Sequence, residues 1–200
     1  MTRKTGRKPT NTLWIFCEGE KTEKNYFNKL KIKEQISRMN TRVVSSDSTY
    51  ALGIVKHSVS FIENTRDYEK GDLVYCVFDR DGNTNQNLDK AIKLAKENKI
   101  VLIFSNPCFE YWILCHFEYF ITACNVIELI EKLKTHIRDY RKNDPETYNK
   151  TYSKISLAIN NAKKVRKKHD KEQVKLISRE SNPSTLVYEL IEKIKELKSS

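Results

Sequence analysis

LWIFCEGEKTEKNYF, residues 13–27, passes from five apolar residues straight into three glutamates and two lysines. An apolar run with no polar alternation reads as a strand buried on both faces, which belongs in a parallel sheet covered by helices on either side. The same transition recurs in DLVYCVFDRDG, residues 72–82. TRVVSS (41–46) and IVLIFS (100–105) read as two further strands. Between the strands lie helical periods: residues 20–38 carrying Tyr26, Phe27, Leu30 and Ile36; then Leu52, Val55, Val59 and Ile62; then Leu88, Ala91, Ile92 and Ala95. The order βαβαβαβ predicts an α/β fold, with a parallel sheet of about four strands flanked by helices.

Beyond residue 106 the character changes. NPCFEYWILCHF (106–117) combines a proline suited to a helix start, Pro107, with a dense aromatic run, and Val126, Ile130, Leu133 and Ile137 continue at helical spacing. RKNDPETYNK (141–150) reads as a polar break. Residues 152–170 form a lysine-rich helical pattern with Ile155, Ala158, Ala162 and Val165 on one side, and Ser184 stands as a cap before a last amphipathic helix. The expected organisation is a basic tail at 1–11, an α/β core at 12–120 and a helical extension at 121–200 packed on the core.

Composition narrows the partners. Lysine and arginine number 37 against 26 aspartates and glutamates, a formal net charge of +11. Such an excess suits a polyanion, nucleic acid first, because basic side chains gain affinity by releasing phosphate counterions. No apolar run approaches the roughly 20 residues of a membrane helix, and MTRKTGRKPTN has no signal-peptide core, so a cytoplasmic protein without a membrane partner is expected. Five cysteines without a C-x-x-C pair read as buried thiols.

In an open parallel sheet ligands bind beyond the carboxyl ends of the strands. The first strand ends in Glu18-Gly19-Glu20, with Glu23 a turn farther on, and the third ends in Asp79-Arg80-Asp81-Gly82. If the two strands are neighbours, three or four carboxylates converge. Their repulsion calls for a cation, and oxygen ligands alone select a hard one, Mg²⁺ or Mn²⁺. Any single acid at such a position also serves as an ordinary helix-start residue near a positive dipole end; it is the pair of matching clusters that points to a metal site.

The Glu18-Gly19 pair after the first strand and Asp79-x-Asp81 after the third resemble the Toprim domain, the metal-binding module of topoisomerases, primases, OLD-family nucleases and small RNA-maturing nucleases. CEGEKTEKNYF, VFDRDGN, SNPCFEYWILCHF and the NPST before the last helix together look like the RloB-like family, Toprim proteins of bacterial defence loci. The resemblance spans nearly the whole chain. It implies a metal-dependent nuclease in anti-phage defence, acting on RNA, tRNA included, or on DNA, beside an AAA- or ABC-type ATPase partner and compatible with an oligomer. Glu18, Asp79 and Asp81 would hold one or two Mg²⁺ ions. Glu23 would serve a second metal position, Glu110 would join the catalytic set, and Lys21 would stabilise transition-state charge.

Residues 161–171 carry Lys163, Lys164, Arg166, Lys167 and Lys168, and Arg3, Lys4, Arg7 and Lys8 form a second basic cluster; both are candidates for phosphate-backbone contact. His116 reads as a core histidine, Asn106 as a residue fixing the rim loop, and Phe109, Tyr111 and Trp112 mostly as core. No P-loop, zinc spacing or G-x-G-x-x-G is present, so any ATP hydrolysis falls to the partner. Two rival functions differ in class. A non-catalytic nucleic-acid-binding subunit of a defence complex would keep the basic runs without the metal chemistry. A haloacid-dehalogenase-like phosphatase would use Asp79 as nucleophile and Asp81 as general acid, but its motif opens a domain and continues with threonine, whereas here it ends the third strand and continues with Asn83.

Overall fold

A computed structural model describes residues 11–18, 22–34, 40–46 and 50–199. In chain order the elements are β1 (Thr12–Glu18), α1 (Thr22–Lys33), β2 (Asn40–Ser46), α2 (Ala51–Asn64), β3 (Leu73–Asp79), α3 (Asn85–Glu97), β4 (Val101–Asn106), α4 (Glu110–Cys115), α5 (Val126–Lys134), α6 (Thr147–Thr151), a 3₁₀ turn (Tyr152–Lys154), α7 (Ile155–Lys171), β5 (Ser184–Thr185) and α8 (Val187–Ser199). Five strands form one sheet in the order β2-β1-β3-β4-β5. The first four run parallel, and β5 is antiparallel to β4.

The two-faced burial of the strands follows from their composition. Leu13, Ile15, Phe16, Cys17, Cys76 and Phe78 are all fully buried. Asp72 fixes the entry edge of the sheet: Thr12 donates its amide to Oδ1 at 2.6 Å and Trp14 its indole N–H to Oδ2 at 2.8 Å, so the first turns of β1 and β3 start in register. α1 buries Tyr26, Phe27 and Leu30 as its periodicity predicts; Ile36 lies outside the described residues.

The second half departs from the sequence expectation in three places. Pro107 does not open a helix; α4 begins at Glu110. Ser184 is not a cap: it is buried in β5, its hydroxyl donating to Ser181 Oγ at 3.0 Å, and Thr185 Oγ1 instead accepts from the Val187 amide at 3.3 Å. A two-residue strand is too short to show a period, which is why only pairing partners reveal it. The break at 141–150 is also more than a linker, since it ends in α6, whose Thr147, Tyr148 and Thr151 are buried. The extension therefore contributes a strand to the sheet as well as helices over it. Asn106, at the end of β4, anchors this return by donating from Nδ2 to the carbonyls of Ser178 and Arg179 at 3.1 and 3.2 Å.

Candidate metal centre

Strand order reverses between β1 and β3, and in such sheets the crevice beyond the carboxyl ends at the reversal is where ligands bind. Glu18 is the last residue of β1 and Asp79 the last of β3. The ladder of pairs between them closes at Cys17 and Val77, and Glu18 Oε2 then accepts the Asp79 amide at 2.9 Å. The side chain of one strand end thus takes the place of the next backbone partner. On the other side, Arg80 donates its amide to Ser105 O at 2.8 Å, which carries the β3–β4 pairing one step beyond the strand.

The turn after Asp79 is held by a residue whose role the sequence did not reveal. Asn83 is fully buried; its Nδ2 donates to the carbonyls of Asp79 at 2.9 Å and Asp81 at 3.3 Å, and its Oδ1 accepts from the Ala51 amide at 3.0 Å. Gly82 adopts φ +70, a left-handed conformation natural to glycine, and a Cβ there would stand 3.2 Å from the Tyr50 ring. The acidic turn is therefore rigid and tied to the start of α2.

Two further elements bring acid to the same point. Glu23, in the first turn of α1, and Glu110, at the start of α4, are both buried. Cys108 comes with Glu110 from the loop after β4. One ligand atom from each of Asp79, Cys108 and Glu110 lies within 4.8 Å of the others, the one such group among the described residues. Glu110 is steadied from above by residues 140–142: Tyr140 donates its hydroxyl to Oε1 at 3.3 Å, and Lys142 Nζ lies 3.8 Å from Oε2. Tyr140, Lys142 and Cys108 were not candidates from sequence; nothing local in RKNDPETYNK distinguishes a lysine aimed at a buried acid from a solvated one.

The electrostatics are those of crowded, desolvated acids. Burial foremost, then Glu23, Glu110 and Glu18, hold the Asp79 carboxyl well above the usual aspartate range, against the opposing Phe109 amide. Burial raises Glu18 from 4.5 to about 7; the Asp79 amide opposes this and Asp81 adds to it. Burial also raises Glu23 to about 7, opposed by its own backbone amide and reinforced by Glu110 and Glu18. Burial, Glu110 and Asp79 push the Cys108 thiol up. For Lys142 burial works downward, yet Glu110, Cys108, Asp79 and Glu23 together raise it. Among the described residues, Asp79 Oδ1 is buried and has no hydrogen-bond partner. An orphaned acceptor among four carboxylates, with Lys142 beside them, is the donor set that a divalent cation satisfies. Asp79 and Glu110 would hold it, with Glu18 and Glu23 beside them.

Asp81 is exposed and stands outside this group, close enough to Glu18 to raise it. With Arg80 it lines an open cleft of about 640 Å³ whose far wall includes Pro107, Cys124, Ile127 and Asn182. Among the described residues, Arg80 Nε is buried without a partner. Lys21 and the basic residues at 1–10 lie outside the described residues. His116 is fully buried, its Nδ1 2.9 Å from Trp112 O, and burial lowers it to about 4, as befits a core histidine. Phe109, Tyr111 and Trp112 are all core. The basic run of α7 is partly neutralised by its own protein: Lys163 pairs with Glu192 at 2.6 Å, Arg166 with Asp170 and Glu189 at 3.1 Å, and Lys168 with Glu172 at 3.5 Å. Lys164 lies over the Tyr119 ring, and Lys167 is exposed.

No helix among the described residues is long and apolar enough to cross a membrane. No curated protein and no solved structure matched the chain. A family model described as RloB-like protein does match, over residues 13–194, a span that takes in both acidic strand ends, Glu110, Lys142 and the returning strand β5; the chain belongs to the RloB-like protein family.

Proposed function

We propose that this protein is a Mg²⁺- or Mn²⁺-dependent nuclease of the Toprim kind, hydrolysing phosphodiesters of RNA, tRNA included, or of DNA in bacterial anti-phage defence with an ATPase partner. The observation that carries the reading is the buried, partnerless Asp79 Oδ1, set with Glu110, Glu18 and Glu23 at the strand-order reversal of a parallel sheet. Asp79 and Glu110 would hold a divalent cation there, and the chemistry it would supply is polarisation of a phosphoryl oxygen and a lowered pKa for a bound water.

The chain's own groups do the rest. Glu18, fixed through Oε2 on the Asp79 amide and with its carboxyl raised to about 7, is suited to take a proton from an attacking water at neutral pH. Lys142 offers positive charge to the phosphate oxygens as negative charge develops. Arg80 faces the cleft where a substrate strand would lie, and exposed Asp81 stands at its mouth, where a second cation would be accessible to solvent. Of the five candidate basic residues on α7, Lys164 and Lys167 are those without an ion pair to break among the described residues.

The test is incubation of purified protein with total tRNA and with plasmid DNA, in Mg²⁺ or Mn²⁺, with and without the partner ATPase. Cleavage that requires the ion and disappears in a folded Asp79→Asn protein is the expected result. Cleavage surviving in Asp79→Asn, or none on either substrate under all four conditions, would refute the reading.

A further inference from the structure

Oxygen donors alone explain a preference for hard ions, but the group around Asp79 is not made of oxygen alone. Of the five cysteines, Cys108 is the one whose sulfur lies within 4.8 Å of both an Asp79 and a Glu110 oxygen. A buried thiol packed for volume has apolar neighbours. This one has Asp79 and Glu110 carboxyl oxygens within 4.8 Å, and Asp79 Oδ1 has no hydrogen-bond partner among the described residues. Resting on the metal-site reading above, we propose that Asp79, Cys108 and Glu110 form a mixed sulfur–oxygen site that captures a thiophilic divalent cation, Zn²⁺ by preference, and that this capture holds the nuclease inactive.

Three physical points support it. Thiolate is a soft donor, which Mg²⁺ and Mn²⁺ leave protonated and Zn²⁺ engages as the thiolate; affinity at a shared site rises strongly from Mn²⁺ to Zn²⁺. The balance is simple: the sulfur–metal bond forms as the Cys108 proton leaves to solvent, together with any proton that the ligating carboxyls still carry, so at least one proton is released for each ion bound. The site can also be closed. Glu23, a buried third carboxylate whose charge acts on Asp79 and Glu110, would become the fourth ligand by a side-chain shift, and a four-coordinate zinc of protein ligands alone is inert, whereas a catalytic one keeps a position open for water. The same residues would thus bind an activating hard ion through oxygen and an arresting soft ion through sulfur and oxygen together.

The experiment uses Co²⁺ as a spectroscopic substitute for Zn²⁺ on the full-length protein. The expected result is a sulfur-to-cobalt charge-transfer band in the near ultraviolet that grows to one ion per chain and is erased by equimolar Zn²⁺. Cys108→Ser should abolish the band and weaken Zn²⁺ binding at least about tenfold, with Mg²⁺ affinity within about twofold of wild type. Asp79→Asn keeps the thiol and should weaken Co²⁺ binding while the protein stays folded by circular dichroism. If Cys108→Ser fails to fold, Cys108→Ala carries the same test. No charge-transfer band in wild type, or one that persists at full strength in the folded Cys108 variant, overturns the site. Neither readout requires a substrate, so it stands or falls apart from nuclease activity. Where cleavage is obtained, inhibition by Zn²⁺ relieved in Cys108→Ser supports the arrest, and equal inhibition of both proteins refutes it.

Discussion

Replacing Asp79 by asparagine keeps the shape of the side chain and removes one charge from the most crowded acidic position in the molecule. Its carboxylate lies within 4.8 Å of a Glu110 oxygen. At an effective dielectric of about 20, two full charges at that separation repel by about 3 kcal/mol. Burial already keeps neighbouring carboxyls partly protonated near neutrality, so only about 1–2 kcal/mol of that repulsion is recoverable. In a chain of this size the gain corresponds to a melting temperature about 3–6 °C higher for metal-free Asp79→Asn than for metal-free wild type at pH 8. Adding Mg²⁺ should reverse the ranking. An ion at a hundred times its dissociation constant stabilises wild type by about 2.7 kcal/mol, while the variant, lacking the orphaned oxygen, should gain less than about 0.5 kcal/mol. Differential scanning fluorimetry in EDTA and across a Mg²⁺ series, paired with the nuclease assay, measures both. A variant that melts below wild type in EDTA and responds equally to Mg²⁺ would mean that Asp79 is a structural acid and the cluster no metal site.

The pH dependence has a definite sign. Glu18 and Glu23 ionise near 7 in the folded chain against 4.5 when unfolded, so between those values the native state binds more protons and stability falls as pH rises. Each carboxyl contributes at most about 3 kcal/mol, and the metal-free protein should melt about 5–10 °C lower at pH 8 than at pH 5, a drop that saturating Mg²⁺ largely removes. Asp81→Asn removes an exposed carboxylate, so metal-free stability should change by less than about 0.5 kcal/mol; thermal melts check this, and any loss of cleavage then reports on ligation at the cleft rather than on folding. Asn106→Ala strips a buried hydrogen bond from the Ser178 carbonyl and a half-buried one from the Arg179 carbonyl and should cost about 1–3 kcal/mol by urea denaturation, with faster hydrogen exchange in β5. Changing Lys164 and Lys167 together to glutamine should leave the melt untouched and flatten the salt dependence of oligonucleotide binding, whereas Lys163→Gln and Arg166→Gln should each cost a few tenths of a kcal/mol from lost surface ion pairs.

The layered α/β plan and the two acidic strand ends can be read along the chain, because a strand buried on both faces must be apolar throughout and a polar residue ending it is visible in one dimension. Glu18 and Asp79 were legible for that reason. Their adjacency was not: only the strand order, with β1 beside β3, brings them together. Tertiary structure also separated two acids that the sequence treated as equals, turning a half-buried Asp79 toward Glu110 and leaving Asp81 exposed at the cleft, since a turn fixed by Asn83 and Gly82 points neighbouring residues in different directions. Cys108, Tyr140 and Lys142 reach the site from the loop after β4 and from a segment more than sixty residues beyond Asp79. The strand β5 joins the sheet from residues 184–185, with only two residues to declare it. Periodicity encodes which face of an element is buried; it carries no information about which distant segment covers that face. The charge a buried acid bears, and the ion it needs, depend on that covering segment, and folding alone supplies it.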